Sequence, residues 1–191
     1  MPEDLPPLTL SEGSHRPLVG RDTRRYERRR KRVMAEPLVD QVLRKIREAR
    51  ELYHRLILVV CPAGSGKTGA LWEVSASTSA PLVNVNLELS RRMLDLAKSQ
   101  RARKLQRILG EIMGEATGEL VLLDNIEILF DVHLEHDPLR LLQRLSRNKT
   151  IVAAWNGSIV DGYVNYAVPD HREYRRYPIR DFMVACPEMT T

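Results

Sequence analysis

Apolar positions follow two periods along this chain, and the two alternate. EPLVDQVLRKIREARELYHRL, residues 36 to 56, sets Leu38, Val42, Ile46 and Ala49 at helical spacing with charges between them. That predicts an amphipathic helix, with Pro37 at its first position. LILVV, residues 56 to 60, is a continuous apolar run rich in β-branched residues and predicts a strand buried on both faces. GKTGALWEVSAS then reads as helix, and PLVNVNL, residues 81 to 87, as a second strand. LSRRMLDLAKS and ARKLQRILGEIMGEA are helical, the latter with a buried stripe of Leu105, Ile108, Leu109 and Ile112. ELVLLDN (119 to 125), TIVAAWNG (150 to 157) and DFMVAC (181 to 186) predict three further strands, and DPLRLLQRLSRN a helix capped by Asp137. Asp161-Gly162 between two alternating runs predicts a hairpin. Strands alternating with helices imply a parallel sheet covered on both faces.

The first 20 residues hold four prolines and two glycines without apolar periodicity. Residues 1–33 are therefore expected to be a disordered basic tail, and 34–191 the folded domain. The net charge of +5 is local: RDTRRYERRRKR, residues 21 to 32, has eight basic and two acidic residues, leaving 22 basic against 23 acidic elsewhere. Such a run can grip DNA phosphates. Two cysteines, Cys61 and Cys186, do not make a disulfide framework or a metal site. No apolar run reaches the roughly 18 residues of a membrane span, and MPEDLPPLTL is unlike a secretory signal. The expectation is a cytoplasmic protein with no membrane contact.

CPAGSGKT, residues 61 to 68, sits between a predicted strand and a predicted helix. That is the context in which G-x-x-x-x-G-K-[ST] cradles phosphates, although Cys61 stands where the pattern has glycine. The expected nucleotide-binding residues are Cys61, Ala63, Gly64, Ser65, Gly66, Lys67, Thr68 and Gly69. Backbone N–H groups would face the β-phosphate, Lys67 the β- and γ-phosphates, and Thr68 would hold Mg²⁺. LVLLD ends in Asp124, the carboxylate expected to bind Mg²⁺ through water.

Asn156, ending the fourth strand, is placed to orient the attacking water, as at the sensor-1 position of AAA+ ATPases. Those proteins usually have a catalytic glutamate directly after the aspartate. Here the residue is Asn125, which can position water and cannot take its proton. Glu127 and Glu88 are the two candidate bases. DHREYRRYPIRD supplies Arg172, Arg175, Arg176 and Arg180 as candidate arginine fingers, with Arg175 and Arg176 foremost and Arg147 a further candidate. His133 and His136 read as surface residues, and Trp72 and Trp155 as core or neighbours of an adenine.

The predicted fold is α/β: a three-layer P-loop NTPase with a five-stranded parallel sheet in the order 5-1-4-3-2. It is AAA+-like, with five residues after the fifth strand and so no helical lid. The stretches CPAGSGKT, LVNVNLELSRRMLDL, VLLDNIEILFD, DPLRLLQRLSRN, TIVAAWNG and DGYVNYAVPDHREYRRYP cover about residues 55 to 180. They resemble BrxF, the small P-loop protein family of type 3 bacteriophage-exclusion (BREX) systems, and the asparagine after the aspartate fits that resemblance. It implies a role in defence against phage beside a methyltransferase and larger ATPase components.

Two functions follow as expectations. One is a Mg²⁺-ATP-binding protein with slow hydrolysis that depends on self-association or on partners. The other is a nucleotide-sensing adaptor without turnover that binds DNA or recruits other defence components. The basic segment yields its own prediction: duplex DNA binding that weakens steeply with salt, abolished by deleting residues 1–33. Titration of labelled duplex at several salt concentrations checks it. Binding that survives the deletion would assign the contact elsewhere.

Overall fold

Six consecutive buried residues, Leu56–Cys61, form β1 at the centre of the sheet. The computed structural model describes residues 36–187; the expected tail 1–33, with its basic segment 21–32, lies outside the described residues. β1 lies between β4 (Thr150–Asn156) and β8 (Met183–Ala185), and β4 is followed outward by β3 (Leu120–Asp124) and β2 (Leu82–Asn84). All four pairings are parallel. The order β2-β3-β4-β1-β8 is the expected one, with β8 as the fifth strand.

Alternation along β1 divides the core in two. Leu56, Leu58 and Val60 face one side, where α3 (Val85–Met93), α4 (Lys98–Glu115) and α5 (Pro138–Leu145) pack. Leu105, Ile108, Leu109 and Ile112 of α4 are all buried there, as their spacing requires. Ile57, Val59 and Cys61 face the other side, against α1 (Leu38–Glu48) and α2 (Lys67–Thr78). Burial on both faces is what a continuous apolar strand calls for. Asp137 caps α5 by accepting from Arg140 N–H at 2.8 Å, and Pro138 follows it. Among the described residues no helix is long and apolar enough to cross a membrane.

A second sheet follows β4 directly. β5 (Ser158–Val160), β6 (Tyr163–Tyr166) and β7 (Arg175–Pro178) are antiparallel in that order. Asp161 and Gly162, with φ of 52° and 77°, make the expected tight turn.

The structure departs from the sequence reading at four points. The second strand is only Leu82–Asn84, because the Asn84 side chain accepts from Leu87 N–H at 3.0 Å and starts a helix at Val85. The first helix stops at Glu48, and Ala49–Glu51 tighten into a 3₁₀ turn with Pro37 just outside the helix. The arginine segment contains a strand the sequence did not predict, β7, whose pairing partner β6 is nine residues away in sequence, from Tyr166 to Arg175. Trp72 is 63% exposed on α2, so of the two tryptophans only Trp155, fully buried, belongs to the core.

Leu109→Ala should cost about 2–5 kcal/mol in urea unfolding, and exposed Arg107→Ala should stay within about 0.5 kcal/mol.

Candidate functional site

Parallel strands end on one edge of a sheet, and here that edge gathers the polar residues. Register places Cys61 opposite Asn156 and Asn84 opposite Asp124. In open α/β sheets ligands bind outside the carboxyl ends of the strands. At that edge lies a cleft of about 370 Å³ lined by Ala63, Gly64, Gly66, Lys67, Thr68, Asp124, Asn125, Glu127 and Asn156.

The loop between β1 and α2 owes its shape to two glycines. Gly64 and Gly66 have φ of 76° and 80°, the left-handed region that other residues enter at a cost. Cys61 completes β1 in extended conformation and is buried, so the missing glycine costs the loop nothing there. Burial also pushes its thiol pKa up, against a smaller opposing pull from Lys67. The first hydrogen bond of α2 runs from Ala70 N–H to Gly66 O, so the N–H groups of Lys67, Thr68 and Gly69 precede the helical ladder. Ser65 N–H, by contrast, donates to Pro62 O at 3.4 Å. Lys67 folds back over the loop and donates to Cys61 O at 3.0 Å and Pro62 O at 2.7 Å.

Lys67 and Asp124 are each only 7% exposed, and both line the cleft. Among the described residues neither belongs to an ion pair. A buried charge without a counter-charge is costly. Lys67 and the free N–H groups suit a polyphosphate, and Thr68 with Asp124 suits a divalent cation held against it. The donor set therefore fits Mg²⁺-ATP. Bound there, the metal would neutralise charge between the phosphates.

The turn after β3 decides which of the two candidate carboxylates reaches the cleft. Asn125 takes φ 52° and ψ 53°, a left-handed conformation that asparagine tolerates and glutamate does not favour. Its carbonyl accepts from Asn86 N–H at 3.0 Å. The chain then enters a 3₁₀ turn, Ile126–Phe130, and Glu127 comes back into the cleft. There the Asn156 amide donates to the Glu127 carboxylate. Glu88 does not reach the cleft. It lies on α3 facing Arg91 and Arg92 at 3.7 Å and 3.6 Å.

A second cavity, of about 510 Å³, adjoins the first through Ala63 and Asn156. Sequence reasoning did not find it, because Tyr166, His171 and Glu173 reach it only through the folding of β5–β7. Among the described residues its lining holds no lysine or arginine. Arg175 and Arg176 line neither cavity: Arg175 donates to Tyr174 O at 2.9 Å, and Arg176 lies 4.1 Å above the Tyr163 ring. Arg147 is at the opposite end of the sheet, 5.2 Å above the Tyr53 ring. Arg172 and Arg180 are exposed. His136 Nε2–H donates to Ala102 O at 2.8 Å, and among the described residues no cluster of metal-ligating side chains occurs.

No protein-family model matches the sequence, and no curated protein matches it. Among solved structures, the chain is similar to that of C. elegans PCH-2, at 22% identity over 65% of this chain, with a TM-score of 0.38. It spans 38% of that chain's length. A likeness at this level carries no argument about activity.

Glu127→Gln should lower ATP turnover by about 10²-fold or more with ATP affinity little changed, as loss of a base does. Glu88→Gln should leave both as they are. Steady-state hydrolysis and equilibrium binding on the three proteins check this.

Proposed function

We propose that this chain binds Mg²⁺-ATP on an AAA+-like P-loop core and hydrolyses it slowly, with turnover dependent on self-association or partners. The observation that carries the reading is the pair of nearly buried, unpaired, opposite charges, Lys67 and Asp124, in one cleft at the strand ends. Glu127 is the base and Asn156 its orienting partner. The attacking water loses its proton to the carboxylate as the new P–O bond forms and the bond to the β-phosphate bridge breaks.

Self-association rests on the arginines. The cavity on the Asn156 side of the loop is lined by Glu173 and His171 and, among the described residues, by no lysine or arginine. Among the described residues Arg175 and Arg176 line neither cavity, and a guanidinium from another copy would complete the site. A cation there is worth about 10³ or more in rate. The resemblance of residues 55 to 180 to the BrxF family supports a role in bacteriophage exclusion among other BREX components. The basic segment 21–32 supports contact with DNA.

The second reading, a nucleotide-sensing adaptor without turnover, is favoured by Asn125 standing where a catalytic glutamate is usual and by a cleft lining that, among the described residues, includes no arginine.

Hydrolysis by the full chain over a range of protein concentrations separates the two, with Lys67→Ala as the blank. The specific activity should climb with concentration. Mixing Lys67→Ala with Arg176→Ala should restore part of what each lacks, since one supplies the site and the other the guanidinium. A rate at the blank at every concentration, with ATP bound, would select the adaptor.

A further inference from the structure

Asn156 is held between the small sheet and the start of the phosphate loop. A Cβ at Gly157 would lie 1.8 Å from the Asn165 carbonyl oxygen, so only glycine lets the end of β4 pass this close to β6. That same oxygen accepts from Trp155 Nε1 at 3.1 Å, and Gly157 N–H donates to Cys61 O at 3.2 Å. The residues before and after Asn156 are thus tied to Asn165 and to the phosphate loop.

Glu127 is tied to the same sheet by a different route. Its 3₁₀ turn ends in Phe130, which is 1% exposed. The Phe130 ring stacks on Tyr166 of β6 with centroids 3.5 Å apart and planes 10° apart, and meets Trp155 edge-on at 4.9 Å. Tyr166 also lines the cavity that Asn156 borders. Its phenol is pushed up to about 12 by burial and, less strongly, by the Glu173 and Glu127 carboxylates. Packed aromatic rings resist small displacements, because interiors are dense and hold side chains in fixed wells.

We propose that Tyr166 is a positioning residue. Its ring, stacked on Phe130, sets where the Glu127 carboxylate meets the Asn156 amide, and so sets how the cleft responds to a γ-phosphate. The inference rests on the ATP reading. It assigns to the three-stranded sheet the part that local sequence around the phosphate loop does not supply.

The test uses the full chain as wild type, Tyr166→Leu, Tyr166→Phe and Trp155→Phe. Affinities for fluorescent ATP and ADP analogues are measured beside steady-state hydrolysis and thermal unfolding. Tyr166→Leu should lower kcat by about tenfold to a hundredfold and erase the preference for ATP over ADP, with ADP affinity within about twofold of wild type. Tyr166→Phe keeps the stack and should restore both. Trp155→Phe keeps an aromatic ring and removes the bond to Asn165; it should move the ATP-over-ADP ratio the same way, and decides the matter if Tyr166→Leu does not fold. A folded Tyr166→Leu with wild-type kcat and ratio overturns the proposal. So does loss of ADP affinity in step with ATP affinity, which marks general damage, or a wild-type ratio in Trp155→Phe beside an unfolded Tyr166→Leu. A wild type that binds neither nucleotide overturns the ATP reading, and this inference with it, a result distinct from each of these. A wild type that binds without turnover still gives the ratio, and the same outcomes apply.

Discussion

The parallel pairing of β1 with β4 is the constraint on which the site depends. Six successive residue pairs, from Leu56 with Ile151 to Cys61 with Asn156, keep the two strands in step. Because the pairing is parallel, both strands deliver their last residue to the same edge, one opening the phosphate loop and the other presenting an amide. A slip of one residue would turn every side chain to the opposite face. It would place Trp155, now in the core with Phe130 and Tyr166, on the side of α1 and α2. Register in the core and geometry in the cleft are therefore one property of this chain.

From that edge the site is assembled by three kinds of local chemistry. Glycine permits the left-handed turns of the loop, burial confines Lys67 and Asp124, and asparagine accepts the left-handed turn at position 125. The last of these changes the meaning of Asn125. A residue that reads as a missing base is, in the structure, the hinge that carries Glu127 into the cleft. The left-handed conformation of about +52° at that residue is one that asparagine adopts readily.

What was legible in the sequence follows the range of the interactions involved. The phosphate loop and β1 were legible because strand, turn and helix there are decided within a dozen residues, and Gly64 and Gly66 announce the turn. The sheet order followed from the same motifs. That Glu127 rather than Glu88 reaches the cleft could not be read, since it depends on one backbone angle and on a hydrogen bond from Asn156, 29 residues away. The end of the second strand was misread because LVNVNL alternates like a strand, and only the Asn84 cap shows where a helix takes over. β7 was hidden by two adjacent arginines and by a pairing settled against β6. Trp72 was taken for core or an adenine neighbour because large apolar residues usually bury.

The two tryptophans give the molecule an optical asymmetry. Trp155 is fully enclosed beside Asn156, while Trp72 stands in solvent on α2, four residues after Thr68. With no third indole in the chain, emission divides between one dry ring and one wet ring. The dry ring belongs to the strand end that borders both cavities, and the wet ring to the helix that begins at the phosphate loop. Light from the protein therefore carries separate signals from the two walls of the cleft, without any label having to be attached.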